Sequence, residues 1–205
     1  MSKYLDNIGV GMKIALAGRK GSGKDECARV LQENFGFKVF SFSDQHKRIA
    51  HHLFPWLQLD YPQGVKENKI WVSPYDGKEW SPRDIWCALN VIVEIDPDIL
   101  VRGVHMDRMR ELYKLCDDTL MRHVIKDLRP HNPDELSYCV AQDFMIIYID
   151  NVKDPIPEED LHPTEDNFIA IVNASVGIFT NNKQGDQPFI DFISGIVPNI
   201  GAING

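Results

Sequence analysis

The chain has 205 residues, 43% of them hydrophobic and 25% charged, with a formal net charge of −8. That length suits one domain, or one domain with an embedded lid, and carries enough chain for a sizeable core. The acidic balance argues against a non-specific nucleic-acid binder, which would be basic, but leaves room for a small anionic substrate in a cleft. Cys27, Cys87, Cys116 and Cys139 form no CxxC pair and no disulfide framework, so they read as reduced thiols.

Residues 1–11 read as a loose lead-in without an apolar signal core. KIALAG, residues 13–18, is a short apolar run ending in Gly and predicts a buried strand. A helix follows over 23–35, with Gly36 as its stop. VFSFS, residues 39–43, predicts a second strand, and Asp44 caps a helix to about Phe54, before Pro55. Residues 55–80, rich in Pro, Gly, Trp and Tyr, predict an irregular excursion lining a substrate cleft. Ser81-Pro82 opens a helix to about Glu94, and another covers Met106 to Cys116. HVIKDL, residues 123–128, is a third strand, followed by a helix over 133–142. FMIIYID, residues 144–150, is the most apolar strand and is expected at the centre of the sheet. Residues 151–168 are acidic, carry prolines and read as a mobile lid. VGIFT, residues 176–180, is a fifth strand, and a short last helix starts at Phe189, before a frayed tail. No apolar run approaches the roughly 20 residues of a membrane span. Strands alternating with helices imply an α/β sandwich around a parallel sheet, with ligands at the carboxyl ends of the strands.

GRKGSGKD, residues 18–25, follows the first strand and opens the first helix. Gly18, Gly21 and Gly23 let the backbone bend so that successive N–H groups point inward. The helix adds its positive end, and Lys24 reaches the outer phosphates. The stretch reads as a phosphate-binding loop, with Lys20 and Ser22 among its members; the alternative is a chance glycine turn between strand and helix. Asp25 stands where a magnesium-binding hydroxyl is usual. A carboxylate is also an oxygen ligand for a hard cation, directly or through water. Equally, Asp25 reads as a helix-capping residue without a metal role.

The loop resembles that of the bacteriophage deoxynucleoside monophosphate kinases, in which Asp commonly follows the Lys. Animal-type phosphomevalonate kinases share the GKD ending. Other stretches are similar to the phage enzymes in the same order: FSDQHKRI (42–49), VKEN (65–68), SPRDIWCALNVIVEIDPDILVR (81–102), DLHPTE (160–165) and FTNN (179–182). The matches span about residues 13–195. Two departures stand out. The helix after Arg83 reads WCALNV where the family usually carries Leu-Gln-x-Leu-Gly-Thr. IDNVKDP offers only Lys153 where an Arg is often found.

The resemblance implies a three-layer P-loop kinase fold with a mostly parallel five-stranded sheet flanked by helices. It spans residues 1–205 as one domain, with a substrate-binding excursion at about 55–118 and a lid-like segment at about 151–168. Arg83, a cation in the first turn of its helix, needs an offsetting anion. A substrate phosphate would serve, and so would a surface salt bridge. Arg129 and Asp127 fit the family pattern Asp-x-Arg at the end of the third strand. There Arg129 would meet phosphate and Asp127 magnesium through water, unless the two form a local pair before Pro130. Asp44 and Lys47, one turn apart, are candidates for substrate binding or a cap with an exposed pair. Lys66 and Arg102 are further candidates for the anionic acceptor. His162 would help close the lid or lie on a surface loop. The resemblance implies that Asn181 lies near the adenine of the donor; a turn Asn is the alternative. Trp56, Trp71, Trp80 and Trp86 stack on a base or, more in keeping with their setting, pack a core or lid.

The expected activity is ATP- and magnesium-dependent phosphorylation of deoxynucleoside 5'-monophosphates, with Lys24, Arg83 and Arg129 as catalytic residues. Alternatives are a phosphomevalonate kinase-like transferase and a nucleotide-binding regulator without turnover. The expected setting is the cytoplasm (the host's, if the chain is phage-encoded), without nucleic-acid or membrane partners. The resemblance also suggests a homodimer.

Overall fold

The computed structural model describes residues 11–62, 64–95, 121–129, 133–151, 168–182, 185–197 and 200. The chain divides into two compact units. One comprises Met1–Ser41 with Cys116–Gly205, the other Phe42–Leu115.

The first unit is built on a sheet. Its strands are β1 (Lys13–Ala17), β2 (Lys38–Phe40), β5 (His123–Leu128), β6 (Met145–Asp150) and β7 (Gly177–Thr180). Their spatial order is β2-β5-β1-β6-β7, and every pairing is parallel. Parallel strands covered on both faces must be apolar at successive positions, and β1 and β6 are. Ile14, Leu16, Ile147 and Ile149 join one core cluster with Phe35, Phe189 and Ile193. These come from α1 (Lys24–Phe35) and α6 (Gln187–Ile196). From the alternate positions of β6, Tyr148 packs edge-on against Phe168, with ring centroids 5.4 Å apart. Phe168 precedes α5 (Ile169–Ala174). A further helix, α4 (Pro133–Ala141), joins β5 to β6.

Local chemistry sets the ends of α1. Gly36 takes φ 68° and donates its N–H to the Gln32 carbonyl at 3.2 Å, the left-handed stop that glycine permits. At mid-helix, Arg29 bonds both oxygens of Asp186 at 2.7 Å and also meets Glu26 and Glu33. Asp186 is the N-cap of α6, so this cation ties the two helices together.

The second unit holds α2 (Asp44–Leu53), a 3₁₀ turn (Val65–Glu67), the hairpin β3 (Trp71–Val72) with β4 (Glu79–Trp80), and α3 (Pro82–Ile95). Ala50, Leu57 and Ile85 form its buried centre, flanked by Phe54, Tyr61, Trp80, Trp86 and Leu89. The start of α3 is a reciprocal cap. Ser81 Oγ accepts the Asp84 N–H at 3.1 Å, and Asp84 Oδ2 accepts the Ser81 N–H at 2.8 Å.

Several expectations need correction. The second strand covers 38–40, not 39–43: Phe42 and Ser43 already turn into α2, where Lys47 N–H bonds the Ser43 carbonyl at 3.0 Å. Ser43, not Asp44, takes the cap position, and Asp44 is the first helical residue. The strand at 145–150 is interior, but β1 holds the middle of the sheet. The excursion at 55–80 contains a short antiparallel hairpin, and α5 has no counterpart among the expected elements. The expected helix at 106–116 and the lid residues 152–167, with Lys153, His162 and Glu165, lie outside the described residues.

Candidate functional site

The phosphate loop leaves the carboxyl end of β1, the middle strand. Gly18 has φ +150°, and a Cβ there would collide with the carbonyl oxygen of Ile149 on β6. Gly23, at the N-cap of α1, has φ +94°, and a Cβ there would collide with the Asn181 side-chain amide. Both positions therefore demand glycine. Asn181 is fixed in turn. Its backbone N–H bonds the Asp150 carbonyl at 2.8 Å, and its Nδ2 donates to the Ser22 carbonyl at 2.9 Å. Asn151 Nδ2 donates to the Gly21 carbonyl at 3.4 Å. The ends of β6 and β7 thus brace the loop, and the carbonyls of Gly21 and Ser22 are drawn toward these amides. Ser22 is buried, and Lys20 is exposed.

Lys24 Nζ donates to the Gly18 and Arg19 carbonyls, at 2.5 and 2.7 Å. The ammonium is therefore held over the loop. Gly23 takes the cap position of α1, so Asp25 serves the helix by its charge in the first turn rather than as the cap. Asp25 is 86% exposed, and its Oδ1 lies 3.0 Å from Lys126 Nζ.

Lys126 belongs to an irregular stretch of β5. The pairing with β1 steps from Ala15↔Ile125 to Ala17↔Leu128, so Lys126 and Asp127 together face Leu16. Such a bulge re-aims side chains. Asp127 Oδ2 accepts a hydrogen bond of 2.5 Å from Ser41 Oγ, just beyond β2. Arg129 has an exposed side chain, and its backbone N–H donates to Glu135 Oε2 at 3.4 Å. The buried Glu135 carboxylate comes from α4.

Among the described residues, no cluster of three or more His, Cys, Asp or Glu side chains could hold a metal. Magnesium needs no such cage, because it is commonly held by one or two carboxylates together with phosphate oxygens and water. A glycine-bent loop opening a helix, with Lys24 above it and the Asp25 carboxylate at its edge, fits a nucleotide phosphate chain and its magnesium.

The second unit holds the other candidates. Arg83 Nη1 lies 3.2 Å from Glu67 Oε1, which supplies the negative charge that a cation in a first helical turn needs. Lys66 is the neighbouring residue in the 3₁₀ turn. Lys47 Nζ lies 5.4 Å from the centre of the Trp86 ring and 3.7 Å from Asp60 Oδ1. Asp44 is exposed. Arg102 lies outside the described residues. Trp56, Trp71 and Trp80, with Phe54, Ile85, Ala88 and Leu89, line an apolar hollow of about 140 Å³. Trp56 and Trp71 stack with centroids 6.2 Å apart. Burial raises the Asp84 carboxyl, but the Lys69 ammonium at 2.5 Å and the Ser81 N–H and hydroxyl outweigh it and hold the group at about 2.

Sequence reasoning did not single out Lys126, Asn151, Ser41 or Glu135. Lys126 left one signal, a cation near the carboxyl end of an otherwise largely apolar strand. The others act through contacts between distant segments.

No family model matches the chain. A protein of Acanthamoeba polyphaga mimivirus, provisionally named a deoxynucleotide monophosphate kinase, is 28% identical over 191 residues, covering 88% of this chain and 94% of its own. Among solved structures, a shikimate kinase from Acinetobacter baumannii in complex with shikimate is 13% identical. It covers 90% of this chain and 93% of its own, with a TM-score of 0.46. The Thermus thermophilus protein TT1252 is 16% identical, covering 88% and 93%, with a TM-score of 0.48. The α/β P-loop kinase fold itself stands on the strand order, the loop after the middle strand and the helix that the loop opens.

Proposed function

We propose that this chain transfers the γ-phosphoryl group of ATP to the phosphate of a deoxynucleoside 5'-monophosphate. The observation that carries the reading is the loop at 18–25, bent by glycines at the end of the middle strand and overhung by Lys24. The acceptor class is supported by the ordered resemblance of the downstream segments and by the name of the mimivirus relative.

A monophosphate acceptor is already a nucleophile near neutral pH, so the chemistry needs no general base. It needs in-line positioning and neutralisation of charge. In this reading Lys24 meets the outer phosphates of ATP, and the loop N–H groups hold the chain. Magnesium arriving with the nucleotide would supply further charge neutralisation, with Asp25 and Asp127 as the carboxylates that hold it or its waters. Arg83 and Arg129 serve the phosphate in transfer. Asp44, Lys47, Lys66 and Arg102 serve the acceptor, and Arg83 exchanges Glu67 for the substrate. Asn181 faces the donor base from the loop it braces. The protein acts as a homodimer in the cytoplasm.

The test is coupled ADP release with ATP and magnesium, across the deoxynucleoside monophosphates and phosphomevalonate. Turnover with one or more deoxynucleotides is expected. Turnover with phosphomevalonate alone would replace the acceptor. Tight ATP binding without ADP from any acceptor would make the chain a nucleotide-binding regulator.

A further inference from the structure

The carboxylate of Asp25 enters a place where phosphate-binding loops ordinarily keep a neutral hydroxyl. It adds a negative charge beside a ligand that is itself strongly negative, and like charges at close range repel even through solvent screening. Lys126 answers that charge from another element, with Nζ 3.0 Å from Asp25 Oδ1. The meeting is built into the backbone. Lys126 and Asp127 share the irregular step in β5 opposite Leu16, which re-aims side chains on the strand next to the one that delivers the loop. The pair is open to solvent, with Lys126 36% and Asp25 86% exposed. An ion pair of that kind adds little to folding stability. Its effect is therefore to be sought in ligand binding.

We propose that Asp25 and Lys126 act as one charge-neutral unit standing in for the usual hydroxyl. Lys126 is a positioning residue that cancels the repulsion between Asp25 and the nucleotide phosphates while leaving a carboxylate oxygen at the loop edge. The inference rests on the reading of the loop as a nucleotide site, and it concerns how that site tolerates an acid.

The probe is N-methylanthraniloyl-ATP, followed by fluorescence anisotropy on the full chain, first in EDTA and then with magnesium. In EDTA, Lys126→Met weakens binding by about tenfold. Asp25→Ser, which takes the acid's own charge away from the phosphates, tightens it. The double variant D25S/K126M returns to near the wild-type affinity. The melting temperature is unchanged throughout, which a structural role for the pair would not allow. With magnesium, the loss in Lys126→Met shrinks, because the metal supplies positive charge of its own. If Lys126→Met melts early, Lys126→Arg and Lys126→Gln carry the test: arginine binds like wild type and glutamine does not. Wild-type affinity for Lys126→Met in EDTA, or a double variant as weak as Lys126→Met, overturns the proposal. A wild-type chain that binds no analogue in either condition refutes the nucleotide reading itself, and the inference falls with it.

Discussion

The two units hold their candidate ligand surfaces by opposite means. Around the phosphate loop the backbone does the shaping: Gly18 lies against the Ile149 carbonyl, Gly23 lies against Asn181, and amide side chains bond the carbonyls of Gly21 and Ser22. In the second unit, within residues 42–95, side chains do it. Aromatic rings line the hollow, and the surrounding backbone is held by a short hairpin and the Ser81–Asp84 cap. A surface made of backbone has little freedom to adjust, which suits phosphate, whose shape does not vary. A surface made of rings can re-pack around ligands that differ.

That contrast can be broken from either side. The largest effect is expected from Lys24→Met. Turnover should fall by about 10²-fold or more, as for other lost transition-state contacts, while the melting transition by circular dichroism stays in place. Full turnover in a folded Lys24→Met protein would remove the loop from the chemistry. Next comes Gly23→Ala, in which a methyl group meets the Asn181 amide on a backbone that disfavours side chains. It should cost about 1–3 kcal/mol locally and abolish binding of an ATP analogue. Asn181→Ala in the same chain removes the collision but not the backbone strain, so recovery should be partial. Complete recovery would mean that φ at Gly23 is unimportant.

The side-chain-built unit should respond differently. Ile85→Ala empties part of a buried centre and should cost about 2–5 kcal/mol, read as faster hydrogen exchange across residues 42–95. The loop strands should exchange as before. Equal acceleration in β1 and β6 would show that the two units unfold together. The smallest effect concerns Asp84. Its carboxyl lies below the ordinary value near 3.9, so its stabilisation is complete above about pH 4. The stabilisation is lost as pH falls through about 2. Asp84→Asn should flatten that part of the acid denaturation curve, and an unchanged curve would discount the Lys69 and Ser81 contacts.

Much of the first unit is legible along the chain. Three glycines, a lysine and a preceding apolar run are local features, and so are the parallel strands, whose doubly covered faces leave continuous apolar runs. What escaped is non-local or marginal. Lys126 meets Asp25 and Ser41 meets Asp127 through packing that spacing does not encode; a salt bridge at Arg83 is legible, but its partner Glu67 is not. The hairpin has strands of only two residues, and α5 has six residues. Both are too short to show a period. At the start of α2, Ser43 and Asp44 are both good caps, and only the geometry of the turn after β2 selects the serine.

All four tryptophans, Trp56, Trp71, Trp80 and Trp86, belong to the unit of residues 42–115. Emission excited at the red edge of the indole band, where tyrosine does not absorb, therefore comes from that unit alone, while the parallel sheet and the phosphate loop are dark. A quench or blue shift on adding a ligand is a local report from the aromatic hollow and its surroundings. An emission melt compared with a backbone circular dichroism melt separates the fates of the two units without any introduced label.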